Sequence, residues 1–141
     1  MSAQVAVGDI VVERTVQLSR ESLVRYAGAS GDFNPIHYRD DVAASVGLPG
    51  VLAHGMLTMG LAVETVVPFI GDSGRITDYG VRFARPVIVD PDSGAELRIV
   101  AKVLSIDAES GALRLDLTVT HGDTQNADST GHVHTITPVT E

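Results

Sequence analysis

The sequence contains no cysteine and no tryptophan, and only 4% of its 141 residues are aromatic. The lack of cysteine excludes disulfide bonds and thiolate chemistry. Because aromatic residues are scarce while 44% of the chain is hydrophobic, the core must be built from aliphatic side chains. The length and composition are those of one globular domain, so we expect a single domain over residues 1–141.

The chain also has few basic residues and no long apolar run. Ten Lys and Arg residues against 18 Asp and Glu residues give a formal net charge of −8, which disfavours nucleic acid as a partner. The first ten residues do not have the pattern of a signal peptide, and Thr58, Glu64 and Thr65 interrupt the longest apolar segment. We therefore expect a soluble, cytoplasmic protein that does not enter a membrane.

Two short helices are expected in the first third of the chain, after a strand over residues 10–16. Ser19 is a candidate N-cap for an amphipathic helix that ends in the glycines at 28 and 31. The segment "DDVAASVG", residues 40–47, predicts one or two further helical turns that end at its glycine. The polar loop between the two helices is thus bounded on both sides.

A third helix is predicted over residues 55–67, where nearly every helical face is apolar. Such a helix should be buried, and Pro68 should end it.

From Thr77 onward the apolar residues recur with period two, which predicts antiparallel strands with one buried face. The turn sequences "VDPDSG" and "DAESG" should join neighbouring strands, and "HGDTQNADST" should form a polar loop between the last two. One buried helix followed by a run of strands predicts an α+β domain whose sheet wraps the helix. The four strand segments are "DYGVRFARPV", "AELRIVAKVLSI", "ALRLDLTVT" and "GHVHTIT".

The loop "GASGDFNPIHYRDD" carries groups that can move protons. Asp32 and His37 can divide the two proton transfers that a hydratase or dehydratase needs, because both titrate within reach of neutral pH when their surroundings shift them. Asn34 does not titrate, but its amide can orient a carboxylate or a water. Pro35 stiffens the chain between them. Composition alone also permits a structural loop, in which Asp32 is an N-cap and His37 a surface imidazole.

The start of the apolar helix supplies a second functional element. Its first N–H groups lack intrahelical partners and lie at the positive end of the helix dipole, so they can bind an oxyanion. Gly55 would let a substrate carbonyl approach the main chain. His54 is a candidate substrate-binding residue, although a hydrogen bond from its ring to a backbone carbonyl is the more common role for a histidine before a buried helix.

Other histidines and arginines carry weaker signals. A metal site built from His121, His132 and His134 is not expected, because no carboxylate accompanies them at a suitable spacing. Arg82 and Arg85 flank a phenylalanine in a predicted strand, where they either meet a phosphate group of a carrier or lie in solvent.

The stretches "ASGDFNPIHY" and "GLPGVLAHGMLTMGL" together resemble the hydratase-2 motif and following helix of the MaoC-like (R)-specific enoyl hydratases and dehydratases, particularly the B subunits of mycobacterial (3R)-hydroxyacyl-ACP dehydratases. The resemblance implies a hot-dog fold, in which an antiparallel sheet wraps a long central helix. It also implies that Asp32 and His37 are the catalytic pair and that the Gly55 N–H is the oxyanion donor. Asn34 would be a positioning residue, and we count it among the substrate-binding residues.

The activity that the resemblance implies is the interconversion of trans-2-enoyl and (3R)-3-hydroxyacyl thioesters of coenzyme A or acyl carrier protein. It requires no metal or redox cofactor, and it implies a homodimer or a heterodimer with a related subunit. Two alternatives are a subunit that is active only with its partner and a hot-dog acyl thioesterase. The family often has an aspartate two positions after the catalytic histidine, where this chain has Arg39.

Overall fold

The computed structural model describes residues 4–122 with their side chains and the backbone of residues 130–138. It confirms the predicted α+β class: five strands form one antiparallel sheet, and one long helix lies against it. Two 3₁₀ turns, Pro35–His37 and Ser73–Arg75, connect the larger elements. The elements are β1 (Ile10–Leu18), α1 (Arg20–Ser30), α2 (Asp40–Ser45), α3 (Gly55–Ile70), β2 (Ile76–Phe83), β3 (Ala95–Ile106), β4 (Leu113–His121) and β5 (Thr130–Pro138).

The sheet has the strand order β1-β3-β4-β5-β2, so β1 and β2 form its two edges. In β3 and β4 alternate side chains are buried, as the period-two pattern predicts. These inward residues are almost all aliphatic and pack with the inner face of α3 as the core. They include Leu97, Ile99, Ala101, Val103, Leu115, Leu117 and Val119.

One predicted connection is wrong. The turn at residues 107–111 joins the sheet neighbours β3 and β4, but the turn at residues 90–94 does not join β3 to a neighbour, because β2 pairs with β5 at the far edge. β2 itself ends at Phe83, and the chain then crosses to residues 51–53. There the Ala53 N–H donates to Val87 O at 2.8 Å and the Val89 N–H donates to Val51 O at 2.9 Å. Period-two patterning shows which face of a strand is buried but does not identify the strand beside it.

The two short helices lie where the sequence predicts them. Ser19 caps α1 in a capping box with Ser22, and α1 ends at Gly31, whose φ of 76° only glycine adopts easily. Gly28 lies inside the helix and does not end it. α2 begins at Asp40, and the chain leaves it through Gly47 at a φ of 83°.

The long helix α3 differs from its prediction in two ways. It does not end at Pro68 but continues to Ile70, where the Gly71 N–H donates to Val67 O at 2.8 Å. Pro68 removes only one hydrogen bond in the last turn, and burial of Ile70 holds that turn against the core. The helix is also not buried all round, since Met56 is 61% exposed on its outer side. Among the described residues, every helix is too short or too polar to cross a lipid bilayer.

Candidate active site

The loop after α1 holds Asp32 in a defined orientation. The Asp32 N–H donates to Ser30 Oγ at 3.1 Å, and the Asn34 N–H donates to Asp32 Oδ1 at 3.2 Å. The side-chain oxygen of Asn34 in turn accepts the Ile36 N–H at 3.2 Å and caps the short turn that carries His37. Asn34 therefore connects the two titratable residues, and Oδ2 of Asp32 has no part in these loop bonds.

His37 faces that carboxylate with its Nε2. Its side chain is 9% exposed, and its Nδ1 lies 2.6 Å from Leu52 O. Because a carbonyl oxygen can only accept, Nδ1 carries the hydrogen, and Nε2 of the neutral ring has a free lone pair. Nε2 lies 3.9 Å from Asp32 Oδ2, too far for a hydrogen bond but close enough for one water to contact both. The predicted pair is thus brought together at the surface, where the Asp32 side chain is half exposed.

His54 lies behind the pair and is 1% exposed. Its Nε2–H donates to the main-chain oxygen of Asp32 at 3.2 Å, which confirms the expected bond to a backbone carbonyl. Its ring stacks on His37 with centroids 3.8 Å apart and contacts Tyr26 edge-on at 4.8 Å. Burial is the main cause that lowers the pKa of His54 below its ordinary value, and the neighbouring His37 lowers it further.

The first turn of α3 presents main-chain donors close to these residues. His54 occupies the N-cap position without a side-chain cap, and the N–H groups of Gly55 and Met56 donate to no group among the described residues. The carbonyl of His54, which shares a peptide unit with the Gly55 N–H, accepts from the N–H groups of Leu57 and Thr58 at 3.1 and 3.2 Å. Two bonds to this carbonyl polarise the peptide and strengthen its N–H as a donor.

A pocket of about 330 Å³ opens beside this donor. Its walls are mostly apolar and come from the segment before α3, the first turn of α3 and the crossing segment after β2. A Cβ atom on Gly55 would lie 3.1 Å from the Phe83 ring, so glycine keeps this wall open. The lining residues are Leu52, Ala53, Gly55, Thr58, Phe83, Ala84, Arg85, Pro86 and Val87.

Several contributors to the site were not predicted from the sequence, and three of them are next to the predicted groups. Leu52 supplies the carbonyl that sets the His37 tautomer, Thr58 lines the pocket, and Phe83 lies over Gly55. Leu52 acts through its backbone, Phe83 acts through packing, and the Thr58 hydroxyl donates to Gly55 O at 2.7 Å. None of these roles leaves a motif in the sequence.

Asp32, His37 and His54 place possible metal-ligand atoms within 4.8 Å of one another. Stacked rings, however, direct their in-plane lone pairs along similar directions instead of toward one point, and His54 Nε2 already bonds to Asp32 O. This geometry suits proton transfer better than tetrahedral metal binding. Of the other histidines, His121 bonds to the main-chain oxygen of Glu96, while the side chains of His132 and His134 lie outside the described residues.

Comparison with known proteins matches residues 3–121 to the MaoC like domain family. The 3-hydroxyacyl-thioester dehydratase X of Mycobacterium tuberculosis is 35% identical over 79 residues, which are 56% of this chain and 27% of that protein. The chain thus spans about a quarter of the length of this relative.

Two solved structures show the same fold. A MaoC-like dehydratase matches 95% of this chain and 40% of its own, with 36% identity and a TM-score of 0.87, in agreement with the expected hot-dog fold. A chain of the C-terminally truncated HadBC (3R-hydroxyacyl-ACP dehydratase) complex from Mycobacterium tuberculosis matches 99% of this chain and all of its own, with 20% identity and a TM-score of 0.70.

Proposed function

This chain belongs to the MaoC-like domain family, and on that premise we propose that it is a lyase that adds water reversibly to trans-2-enoyl thioesters. The product is the (3R)-3-hydroxyacyl thioester of coenzyme A or acyl carrier protein. The observation that carries this proposal is the distance of 3.9 Å between His37 Nε2 and Asp32 Oδ2, next to an apolar pocket and to the Gly55 N–H, which donates to no described group.

In this reaction a water lies between Asp32 Oδ2 and His37 Nε2. Its oxygen attacks C3 of the enoyl group while the pair takes one of its protons, and the pair then returns one proton to C2. His37 can accept the proton at Nε2 because Leu52 O keeps the other hydrogen on Nδ1. The carboxylate of Asp32 stabilises the imidazolium that forms, and the pair is restored at the end of the cycle.

The thioester carbonyl is placed against the first turn of α3. Negative charge builds up on its oxygen as C3 is attacked, and the Gly55 N–H stabilises that charge by about 3 kcal/mol, a typical contribution of one such donor. The pocket beside Gly55 has the apolar walls that the acyl thioester requires. Asn34 contributes by holding Asp32 through its N–H and His37 through its cap.

Hydration of crotonyl-CoA, followed by loss of the enoyl absorbance, tests the proposal. Asp32→Asn and His37→Gln should each lower kcat by about 10²–10⁴-fold, the usual contribution of a general acid or base. His121→Gln, the same replacement on β4 outside the site, should leave kcat unchanged. Folded single variants that retain wild-type kcat would contradict the acid–base assignment.

A second copy or a related subunit is proposed as the partner. β2 forms a sheet edge that pairs with β5 on one side and with no described strand on the other, so it can pair with a second sheet. A chain of the same fold in the HadBC complex supports this arrangement. Solution mass distinguishes the cases: an active homodimer needs no other subunit, whereas a protein active only after addition of a related chain is one half of a heterodimer.

The thioesterase alternative is tested in the same assay. Release of free thiol from crotonyl-CoA would show hydrolysis, whereas loss of the enoyl absorbance with the thiol retained shows hydration.

A further inference from the structure

We infer that His54 is a positioning residue, which holds Asp32 and His37 in place and must remain uncharged while His37 gains and loses its proton. The inference goes beyond the proposed function and rests on it for its kinetic test. His54 contacts both members of the pair yet lines no part of the pocket, so it acts through them and not on the substrate.

The ring of His54 fixes the plane of the His37 ring. The two centroids are 3.8 Å apart with planes inclined by 23°, and Leu52 O holds the edge of the same His37 ring at 2.6 Å. One contact on the face and one bond at the edge leave His37 little freedom to turn. Nε2 is thereby kept toward Asp32.

The Nε2–H of His54 fixes the backbone of Asp32. This hydrogen bond of 3.2 Å joins the start of α3 to the loop in which Asp32 lies, across 22 residues of sequence. The bond requires the hydrogen to be on Nε2, since Asp32 O can only accept. Loss of the donor would free the loop that carries the carboxylate, while the cap from Asn34 would still hold the turn of His37.

The surroundings of His54 favour the neutral ring. Its Nδ1 is buried without a hydrogen-bond partner among the described residues, so protonation there would bury an unpaired donor. The titratable groups facing it are His37 on the 3₁₀ turn, Tyr26 on α1 and Asp32 on the loop. The main-chain oxygen and the carboxylate charge of Asp32 both favour the protonated ring, but burial is the larger effect and the pKa of His54 is lowered. A charge on His54 would repel the imidazolium of His37 at 3.8 Å.

Two variants separate the two contacts. His54→Gln can keep an N–H donor near Asp32 O but removes the stacked ring, and His54→Phe keeps a ring against His37 but removes the donor. Each should lower kcat for crotonyl-CoA hydration by about tenfold or more, as expected for a misplaced catalytic group, while KM changes less than about threefold. The matched control is His121→Gln, which should have wild-type kcat and KM.

Nitrogen-15 NMR of the imidazoles gives a readout that does not depend on activity. In the wild type at pH 7.5, His54 should be the neutral Nε2–H tautomer, and it should gain its second proton at a lower pH than a free histidine does. In His54→Phe, the His37 ring should keep its Nδ1–H tautomer, because Leu52 O is untouched, whereas in His54→Gln its resonances should broaden or shift as the stack is lost.

The inference about His54 and the proposed function can be tested independently of each other. A His54 that titrates at or above the pH of a free histidine, or that carries its hydrogen on Nδ1, would overturn the inference even in an active enzyme. Folded His54 variants with wild-type kcat would also overturn it. If the wild type hydrates no enoyl thioester, either alone or with a related subunit, the proposed function fails, but the tautomer and the response of His37 still test the positioning role.

Discussion

At the residue scale, the hydrogen atom that glycine has in place of a side chain keeps Gly55 clear of the Phe83 ring. A Cβ atom there would meet two ring carbons at 3.1 Å. The ring would have to move by a few tenths of an ångström, toward the pocket that it lines, or the first turn of α3 would have to shift. The first movement changes the shape of the pocket in which the thioester is placed, and the second changes the position of the Gly55 N–H relative to the pair.

Gly55→Ala should therefore lower kcat for hydration by about 10²-fold, close to the loss of one oxyanion donor, with a smaller effect on stability. The matched control is Gly60→Ala on the same helix, where an added Cβ meets nothing within 4 Å and activity should be retained. Replacing Phe83 by Leu in the Gly55→Ala background should restore part of kcat by removing ring atoms. Failure of that double variant to improve on Gly55→Ala would show that the ring is not the obstacle.

His54 also makes stability depend on pH. Burial lowers the pKa of His54 from its ordinary value of 6.5, so just below that pH the unfolded chain binds more protons at this residue than the folded chain. The contribution of His54 to the free energy of unfolding therefore decreases as the pH falls below about 6.5. Four surface aspartates also have lowered pKa values, but they change the stability only below about pH 4, because the ordinary pKa of an aspartate is 3.8.

The free energy of unfolding of the wild type should therefore fall between pH 7.5 and pH 5.5, and His54→Phe should show a smaller fall. Urea unfolding at the two pH values measures both differences. An equal fall in the two proteins would mean that His54 does not titrate differently on folding.

At the element scale, the turn before β3 is packed against the end of β1. Gly94 has a φ of 71°, and a Cβ there would lie 2.1 Å from Leu18 O, a backbone atom that cannot rotate away. The turn is held further by the bond of 2.7 Å from Gln17 Nε2 to Ser93 O. Residue 94 must therefore be glycine for two separate reasons, its backbone conformation and its contact.

Gly94→Ala should lower the free energy of unfolding by more than the strain of a left-handed residue alone, which is about 1–2 kcal/mol. Gly8→Ala is the comparison, because Gly8 has a φ of 97° but open space around the added Cβ, so only the strain should appear. Denaturant unfolding of the two variants measures the difference. Equal losses would mean that the backbone of β1 moves aside at little cost.

At the scale of the whole molecule, Arg20 connects three segments that lie far apart in the sequence. From the start of α1, its Nε donates to Val89 O at 2.5 Å in the crossing segment. Its two terminal nitrogens bond both oxygens of Asp40 at the start of α2, at 3.1 and 2.9 Å. The guanidinium thus links α1 and α2, the two helices that flank the active-site loop, to the segment that leads into β3.

Arg20→Met should destabilise the protein by about 1–2 kcal/mol, because it leaves the part-buried carbonyl of Val89 without this donor. It should also raise exchange of the amide hydrogens in α2 and the active-site loop. Arg25→Met is the matched control on the same helix, where the guanidinium pairs with the exposed Glu21 one turn away, and its effect should stay within about 0.5 kcal/mol. Equal effects would contradict the connecting role of Arg20.

Much of this fold and site could be predicted from the sequence because it depends on neighbours in the chain. Period-two burial in β3 and β4, the cap of α1 at Ser19 and the glycine that ends it are all local features. The motif loop is local too, since Asp32 and Asn34 arrange their own backbone. These local features were sufficient to predict the fold class and the candidate catalytic residues.

Only the tertiary structure decided which strands and side chains meet across long stretches of chain. β2 pairs with β5 and not with β3, His37 finds its hydrogen-bond acceptor 15 residues away, and His54 reaches the loop across 22 residues. The end of α3 was decided in the same way, because burial of Ile70 carries the helix past a proline. Local pattern specifies each element and its apolar face, whereas pairing and tautomer depend on groups that become neighbours only when the faces pack together.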